Sequence, residues 1–389
     1  MPLCAAEQLA RMTITASKLR EKPRLPVKLL IQPGDGVKRL VKGIRKAKDR
    51  VEIMIFRFDR PELERALIDA VERGVFVHAL IAFTNRGGEE HLRKLEKTFL
   101  ANGITVARTA GDLVRYHGKM MIIDRKELYV NGFNFTHLDI DRSRSFGLIT
   151  RNPKLVAEAA KLFEADTKRQ VYTAGSSKFL VSPVNARKEL AKFIRGAKRE
   201  LLIYDPKISD RAILRMLQER KKAGVEIRIV GCVSGKRLPA CELKRMRLHT
   251  RTIIRDRTHA FVGSQSLRQL ELDARREIGI IFGDGAAIKN VIRTFEEDWA
   301  ASSAEIAEEK HAPEKKSAKV IKKVAQAISK RMPLRPVAKK VVKRISHRAD
   351  VDLDHKELRE EVTEILKDVV EKTATEVAQE TAEVVGKAG

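Results

Sequence analysis

The chain is poor in the residue types that most readily betray a function. Among its 389 residues there are 3 cysteines, 1 tryptophan and 4 tyrosines, and aromatics make up 5%. Cys4, Cys232 and Cys241 give neither a disulfide framework nor a CxxC pair, which argues against a secreted disulfide scaffold and a cysteine zinc site. So few aromatics leave little with which to stack nucleic-acid bases. No run of 18 or more apolar residues is present, so no spanning helix is expected. The first 25 residues carry Arg11, Lys18, Arg20 and Lys22 without the apolar stretch of a secretory signal. A cytoplasmic, reduced chain is the expectation, peripheral to a membrane at most.

Positive charge is what the sequence has in excess. Lys and Arg number 79 against 52 Asp and Glu, a formal net of +27. A hydrophobic fraction of 43% is too high for a wholly disordered protein, and the length suits two or three domains. The charge is unevenly spread. Residues 310–348 hold fourteen bases and one acid, Glu314, whereas residues 350–389 hold twelve acids and five bases. That leaves +21 on residues 1–309, so the globular part is itself basic. It calls for an anionic partner: a phosphorylated substrate, an anionic membrane surface or nucleic acid.

The sequence also repeats itself. Shifted by 150 residues, Pro33 falls on Pro183, Leu40 on Leu190, Ile44 on Ile194, Ile53 on Ile203, Leu67 on Leu217 and Gly74 on Gly224. Each copy reads as helix, strand, helix, strand. In the first, Val37, Leu40, Val41 and Ile44 line a helix and Val51–Phe56 form a strand. Pro61 opens a second helix that Arg73-Gly74 stops, and the apolar run Val75–Phe83 follows. Near-continuous apolar strands between helices predict an α/β sandwich on a mostly parallel sheet. A duplicated domain of this kind places one site between its halves.

Farther on the copies match again, now 132 residues apart. The first reads Tyr116-His117-Gly118-Lys119 with Asp124 five residues later, then Asn131-Gly132-Phe133-Asn134. The second reads Leu248-His249-Thr250-Arg251 with Asp256, then Gly263-Ser264-Gln265-Ser266. A lone histidine beside a strand is ordinarily a satisfied imidazole, but two in the same frame of two repeats are not. No zinc-ligand spacing accompanies them, and Lys and Arg are poor neighbours for a cation, so no metal is expected. Strand alternation puts His117 with Lys119, and His249 with Arg251, on one face. An imidazole beside a fixed cation suits a phosphate site with a nucleophile in it. Asp124 and Asp256, each at a strand end, suit holding a turn through backbone N–H groups.

These two frames resemble the H-x-K-x4-D and G-G/S-x-N signatures of the phospholipase D superfamily, over about residues 27–300. Within it the chain looks most like cardiolipin synthase and phosphatidyltransferase proteins. The resemblance implies a duplicated α/β/α sandwich, two pseudo-two-fold halves sharing one active site, and no cofactor. It implies that one histidine attacks a phosphodiester to form a phosphohistidine, while the other protonates the leaving alcohol and then activates water or an acceptor alcohol. The implied catalytic set is His117, His249, Lys119, Arg251, Asp124, Asp256 and Glu277, with His117 as nucleophile. Lys119, Arg251, Asn134 and Ser266 would hold the phosphate oxygens. The chain departs from the pattern at Asn131 (usually Gly, and tolerable because Asn accepts unusual backbone angles), at Arg251 for Lys and at Ser266 for Asn. Glu277 stands where the family places an acid that orients a histidine, while the matching residue of the first copy is Ser145. One imidazole is therefore expected to lack its carboxylate.

The expected domains are an extension over 1–26, repeats over 27–172 and 173–300, a basic segment over 301–349 and an acidic tail over 350–389. Val320, Ile321, Val324 and Ile328 have amphipathic spacing, suited to an anionic surface or to the acidic segment. Leu358, Val362, Ile365 and Val369 are spaced like a short coiled coil, suited to self-screening or oligomerisation. Three functions stay open: phospholipid chemistry, a nuclease, and a catalytically silent anion-binding module.

Overall fold

The structure, a computed structural model, describes residues 27–83, 90–235 and 238–311, together with the single positions Pro336 and Leu366. The expected extension over 1–26 and the amphipathic and coiled-coil readings of the tail lie outside the described residues.

The first half contains β1 (Lys28–Gln32), α1 (Lys38–Lys46), β2 (Arg50–Ile55), α2 (Pro61–Glu72), β3 (Phe76–Ile81), α3 (Glu90–Ala101), β4 (Thr105–Arg108), β5 (Arg115–Tyr116), β6 (Met120–Ile123), β7 (Glu127–Asn131), α4 (His137–Asp141), β8 (Ser143–Thr150) and α5 (Pro153–Lys168). The second contains β9 (Phe179–Val181), α6 (Ala186–Arg195), β10 (Glu200–Ile208), α7 (Arg211–Lys222), β11 (Glu226–Val233), β12 (Ala240–Cys241), β13 (Arg247–Leu248), β14 (Arg251–Arg255), β15 (His259–Gly263), α8 (Gln269–Asp273), β16 (Arg275–Arg276), β17 (Ile278–Phe282) and α9 (Gly285–His311). The boundary expected at residue 300 falls inside α9. Local signals account for the helices: Pro61 begins α2, and the Asn152 side chain accepts the Lys154 and Leu155 N–H groups at the start of α5.

Each half carries one large sheet. The orders are β1-β8-β7-β6-β2-β3-β4 and β12-β11-β10-β14-β15-β17-β9. The sheets are mixed, which corrects the expectation of a mostly parallel one. Within these orders only β2-β3-β4 and β10-β11-β12 run parallel, whereas β6, β7 and β8 pair antiparallel, as do β14, β15 and β17. The cause is a pair of two-residue hairpins. Asp124 and Arg125 have φ of 51° and 50°, Asp256 and Arg257 have 51° and 56°, and Lys126 N donates to Ile123 O at 2.9 Å. Two consecutive left-handed residues make a turn whose twist matches the strands it joins.

Strand alternation divides the core. Val51, Ile53, Ile55, Met121 and Ile123 face α1–α3, and Met54, Met120 and Ile122 face the opposite way. That inner face joins Leu202, Tyr204, Ile254 and Val262 of the second sheet, with α5 and α9 in the same apolar cluster. The second sheet's outer face is covered by α6, α7 and α8. Each sheet thus lies between helices, and the halves share the central layer.

Candidate active site

Both histidines arrive on short strands that pair with the opposite half. β5 lies parallel to β16, with Tyr116 opposite Arg276, and the His117 N–H donates to the Arg276 carbonyl at 2.8 Å. β13 lies parallel to β8, with Leu248 opposite Arg144, and the His249 N–H donates to the Arg144 carbonyl at 3.0 Å. Cross-pairing of this kind brings the two frames together, so that the charge of Arg251 acts on His117 and that of Lys119 on His249. Between His117 and Lys119 a Cβ on Gly118 would lie 2.6 Å from Ile278 Cδ1 and 2.8 Å from Met54 Sδ, so a larger residue there would make those two side chains shift.

His117 is 8% exposed and Lys119 is fully buried. Glu277, from the second half, holds His117 Nδ1 at 2.8 Å. Lys119 Nζ lies 2.8 Å from Nε2 and 2.9 Å from Nδ1, and the Phe56 ring meets the imidazole edge-on, its centroid 4.5 Å away. Burial, then Lys119 and Arg251, push His117 well below the usual imidazole range, so the ring is neutral near pH 7. Burial also pushes Lys119 down to about 7 against the pull of Glu277. With a carboxylate on Nδ1, the neutral ring carries its proton there and turns the Nε2 lone pair toward Lys119 Nζ.

His249, 6% exposed, has a different setting. Burial and Arg251 push it well below the usual range too, while Asp139 pulls the other way. Asp139 Oδ2 lies 3.6 Å from His249 Nε2 and also accepts from Asn134 N and Nδ2 at 2.8 and 2.6 Å. Burial opposes ionisation of Asp139, but His249, Asn134 and Arg247 outweigh it and hold the carboxyl at about 2. Nδ1 of His249 and the Ser145 hydroxyl have no hydrogen-bond partner among the described residues. The imidazole without an orienting carboxylate is thus His249. Glu277, although its sequence position lies beside the second frame, serves the first histidine.

The remaining expected residues divide. Arg251 donates to the His249 carbonyl at 2.7 Å, and its charge acts on both histidines. Asn134 lies beside Asp139. The Ser266 hydroxyl donates to the Asp205 carboxylate, which also accepts from Leu267 N at 2.7 Å and Lys207 N at 2.9 Å. A phosphate would compete with Asp205 for that hydroxyl, so the expected Ser266 contact is not the one made. Asp124 accepts the backbone N–H groups of Lys48, Asp49 and Arg50 at 3.1, 2.8 and 3.0 Å, and Asp256 those of Lys198, Arg199 and Glu200 at 3.1, 2.7 and 3.1 Å. Both carboxylates hold turns and touch neither histidine, which corrects their place in the catalytic set. Asn131 is an ordinary strand residue at the end of β7, not one with an unusual backbone angle; its side chain occupies the space beside Gly147.

Asp139 and Asp205 were not singled out in the sequence. Asp139 has a legible counterpart: Glu271 follows Ser266 by the same five residues that separate Asp139 from Asn134, and its carboxylate accepts from Ser266 N at 2.8 Å. Asp205 has none, since the repeat aligns it with Ile55.

Two tandem histidine frames meeting between duplicated α/β halves define a phospholipase D-like protein. A family described as cardiolipin synthase, PLD-like domain, matches residues 40–167 and 190–299, more than half of the sequence, and the chain belongs to that family. The superfamily is one of phosphodiesterases and phosphatidyltransferases. Mitochondrial cardiolipin hydrolase of Danio rerio is 28% identical over 134 residues, 33% of this chain and 56% of that protein. The chain thus spans little more than half the length of this curated relative. Among solved structures, polyphosphate kinase from Porphyromonas gingivalis is similar with a TM-score of 0.60 at 18% identity, over 70% of this chain and 50% of that one. Phosphatidylserine synthase from Haemophilus influenzae Rd KW20 has a TM-score of 0.56 at 10% identity, over 70% and 88%. At these identities the likeness is one of fold.

Proposed function

We propose that the protein hydrolyses or transfers a phosphodiester, most favourably that of a phospholipid, through a phosphohistidine on His117. The carrying observation is the Glu277 carboxylate 2.8 Å from His117 Nδ1. Nε2 attacks phosphorus and the P–O bond to the leaving alcohol breaks. That oxygen takes a proton from His249, whose acquisition of charge is favoured by Asp139 and by the entering phosphate anion. His249 then removes a proton from water or an acceptor alcohol, which attacks phosphorus and frees His117. Lys119 and Arg251 balance the charge that grows on the non-bridging oxygens, and Asn134 would join them with the amide hydrogen it does not give to Asp139. Two halves that contribute different groups to one site give the histidines different roles.

A phospholipid is favoured by the cardiolipin synthase family and the cardiolipin hydrolase relative, and by the few aromatics available for base stacking. The +21 on residues 1–309 favours a nuclease as the second reading. The division into repeats over 27–172 and 173–300 and a charged tail belongs to this proposal. So do a cytoplasmic or membrane-peripheral location and contact of the tail with an anionic surface or a second copy. Among the described residues no helix is long and apolar enough to cross a membrane.

The test measures product release from a diacyl phospholipid and from single-stranded DNA, with and without Mg²⁺, for wild type and His117→Ala. Release from the lipid that disappears in the variant is expected. Preference for DNA would substitute the nuclease, and absence of both activities would leave a binding module.

A further inference from the structure

Beside each histidine an arginine joins the two halves, Arg276 buried and Arg144 half-buried, and the two arrangements correspond in position. Arg276 and Arg144 are 132 residues apart, as are His249 and His117, and so are Asp298 and Asp166. Arg276, in the second half, accepts the His117 N–H with its carbonyl. Its guanidinium lies 3.0 Å from Asp166 on α5 of the first half and donates to the Ser182 carbonyl at 3.2 Å. Arg144, in the first half, accepts the His249 N–H. Its guanidinium donates to Asp298 on α9 of the second half at 2.7 and 3.0 Å and to the Gln32 carbonyl at 3.2 Å. Tyrosines complete both settings: the Arg276 guanidinium lies over the Tyr116 ring, 5.5 Å from the ring centroid, and Tyr204 donates to Asp298 at 2.6 Å.

Each arginine is therefore gripped twice by the half it does not belong to, once through its side chain by an aspartate and once through its carbonyl by the histidine. Arg276 also immediately precedes Glu277. Its backbone thus sets both the height of His117 and the origin of the carboxylate that orients the ring. A buried ion pair is a poor source of net stability, because desolvation cancels much of the attraction, whereas its geometry fixes position: a two-bond fork at Arg144 and Asp298, a single contact at Arg276 and Asp166. Such a pair in the same place in both halves is best explained by placement.

We propose that Asp166–Arg276 and Asp298–Arg144 are reciprocal clamps, in which each half's last helix seats its own histidine by holding the arginine of the other half. Asp166 and Asp298 are positioning residues, not catalytic ones. Neither histidine is then seated unless the halves are docked, which couples assembly of the fold to assembly of the site. This rests on the reading of His117 and His249 as the reacting groups.

The test uses the full chain with ¹⁵N-labelled histidine, the two site resonances being assigned with His117→Asn and His249→Asn. Asp166→Asn is expected to shift the ring nitrogens of His117 and leave those of His249 in place, and Asp298→Asn to do the reverse. Arg276→Lys, which keeps the charge but loses the planar guanidinium that reaches both Asp166 and the Ser182 carbonyl, should repeat the Asp166→Asn pattern and serves if that variant folds poorly. On a substrate that the wild type turns over, Asp166→Asn should lower kcat about 10–100-fold while leaving KM in place. Rings that do not respond, or that shift together with a general loss of thermal stability, would overturn the clamps. A wild type that turns over nothing, with rings that still respond selectively, would retain the clamps and reject the enzymatic reading.

Discussion

The Glu277 carboxylate belongs to one half of the chain and the imidazole it holds to the other, so the first histidine is complete only in the assembled fold. Glu277→Gln keeps the size but removes the charge that holds the Nδ1 proton, and kcat should fall about 10–100-fold, read from initial rates at saturating substrate. Lys119 offers a second test. Its folded-state value of about 7 lies below that of an exposed lysine because burial disfavours the charge. Between about pH 7 and 10 the unfolded chain holds a proton that the folded chain has released, so this lysine's destabilising effect eases as pH rises through that window. Lys119→Met should therefore stabilise the fold at pH 6 and do so less at pH 9, compared by urea denaturation midpoints. A gap of constant size would contradict the buried lysine. His117-x-Lys119 was legible in the sequence because its partners are two residues apart. The pairing of Glu277 with His117 was not, because 160 residues separate them and the nearer frame in sequence is that of His249. Asp205 was hidden for another reason: it replaces an apolar residue of the repeat and belongs to no motif.

Hairpins are the elements on which the frames depend. The β6–β7 turn carries two left-handed residues, and the Asp124 side chain anchors it to three backbone N–H groups at the start of β2. Asp124→Ala removes that acceptor, and a loss of about 1–3 kcal/mol is expected in chemical denaturation, since these donors are partly reached by water. An unchanged midpoint would mean that the turn stands on its own. Helices α1 and α2 could be read from 3.6-residue periodicity and from Pro61 and Gly74. The direction of the inner strands could not, because Asp-Arg and Asp-Arg are weak turn signals compared with Asn-Gly, and apolar strands buried on both faces look alike whether parallel or antiparallel.

For the whole molecule, the excess of basic residues and the duplication say different things. The charge on residues 1–309 favours an anion of any kind. The duplication creates an interface at which β5 pairs with β16 and β13 with β8, and only that pairing turns two separate frames into one site. The halves have diverged there: His117 has Glu277, whereas His249 has Asp139 at 3.6 Å and Ser145 where its carboxylate would stand. In the proposed function, covalent chemistry belongs to the half with the carboxylate on Nδ1. Turnover of a substrate carrying a phosphorus label, quenched early under conditions that preserve phosphohistidine and followed by peptide mapping, tests this most directly. Label on the peptide containing His117, absent in His117→Ala, is the predicted result; label on the His249 peptide, or steady turnover with no labelled histidine, would contradict it.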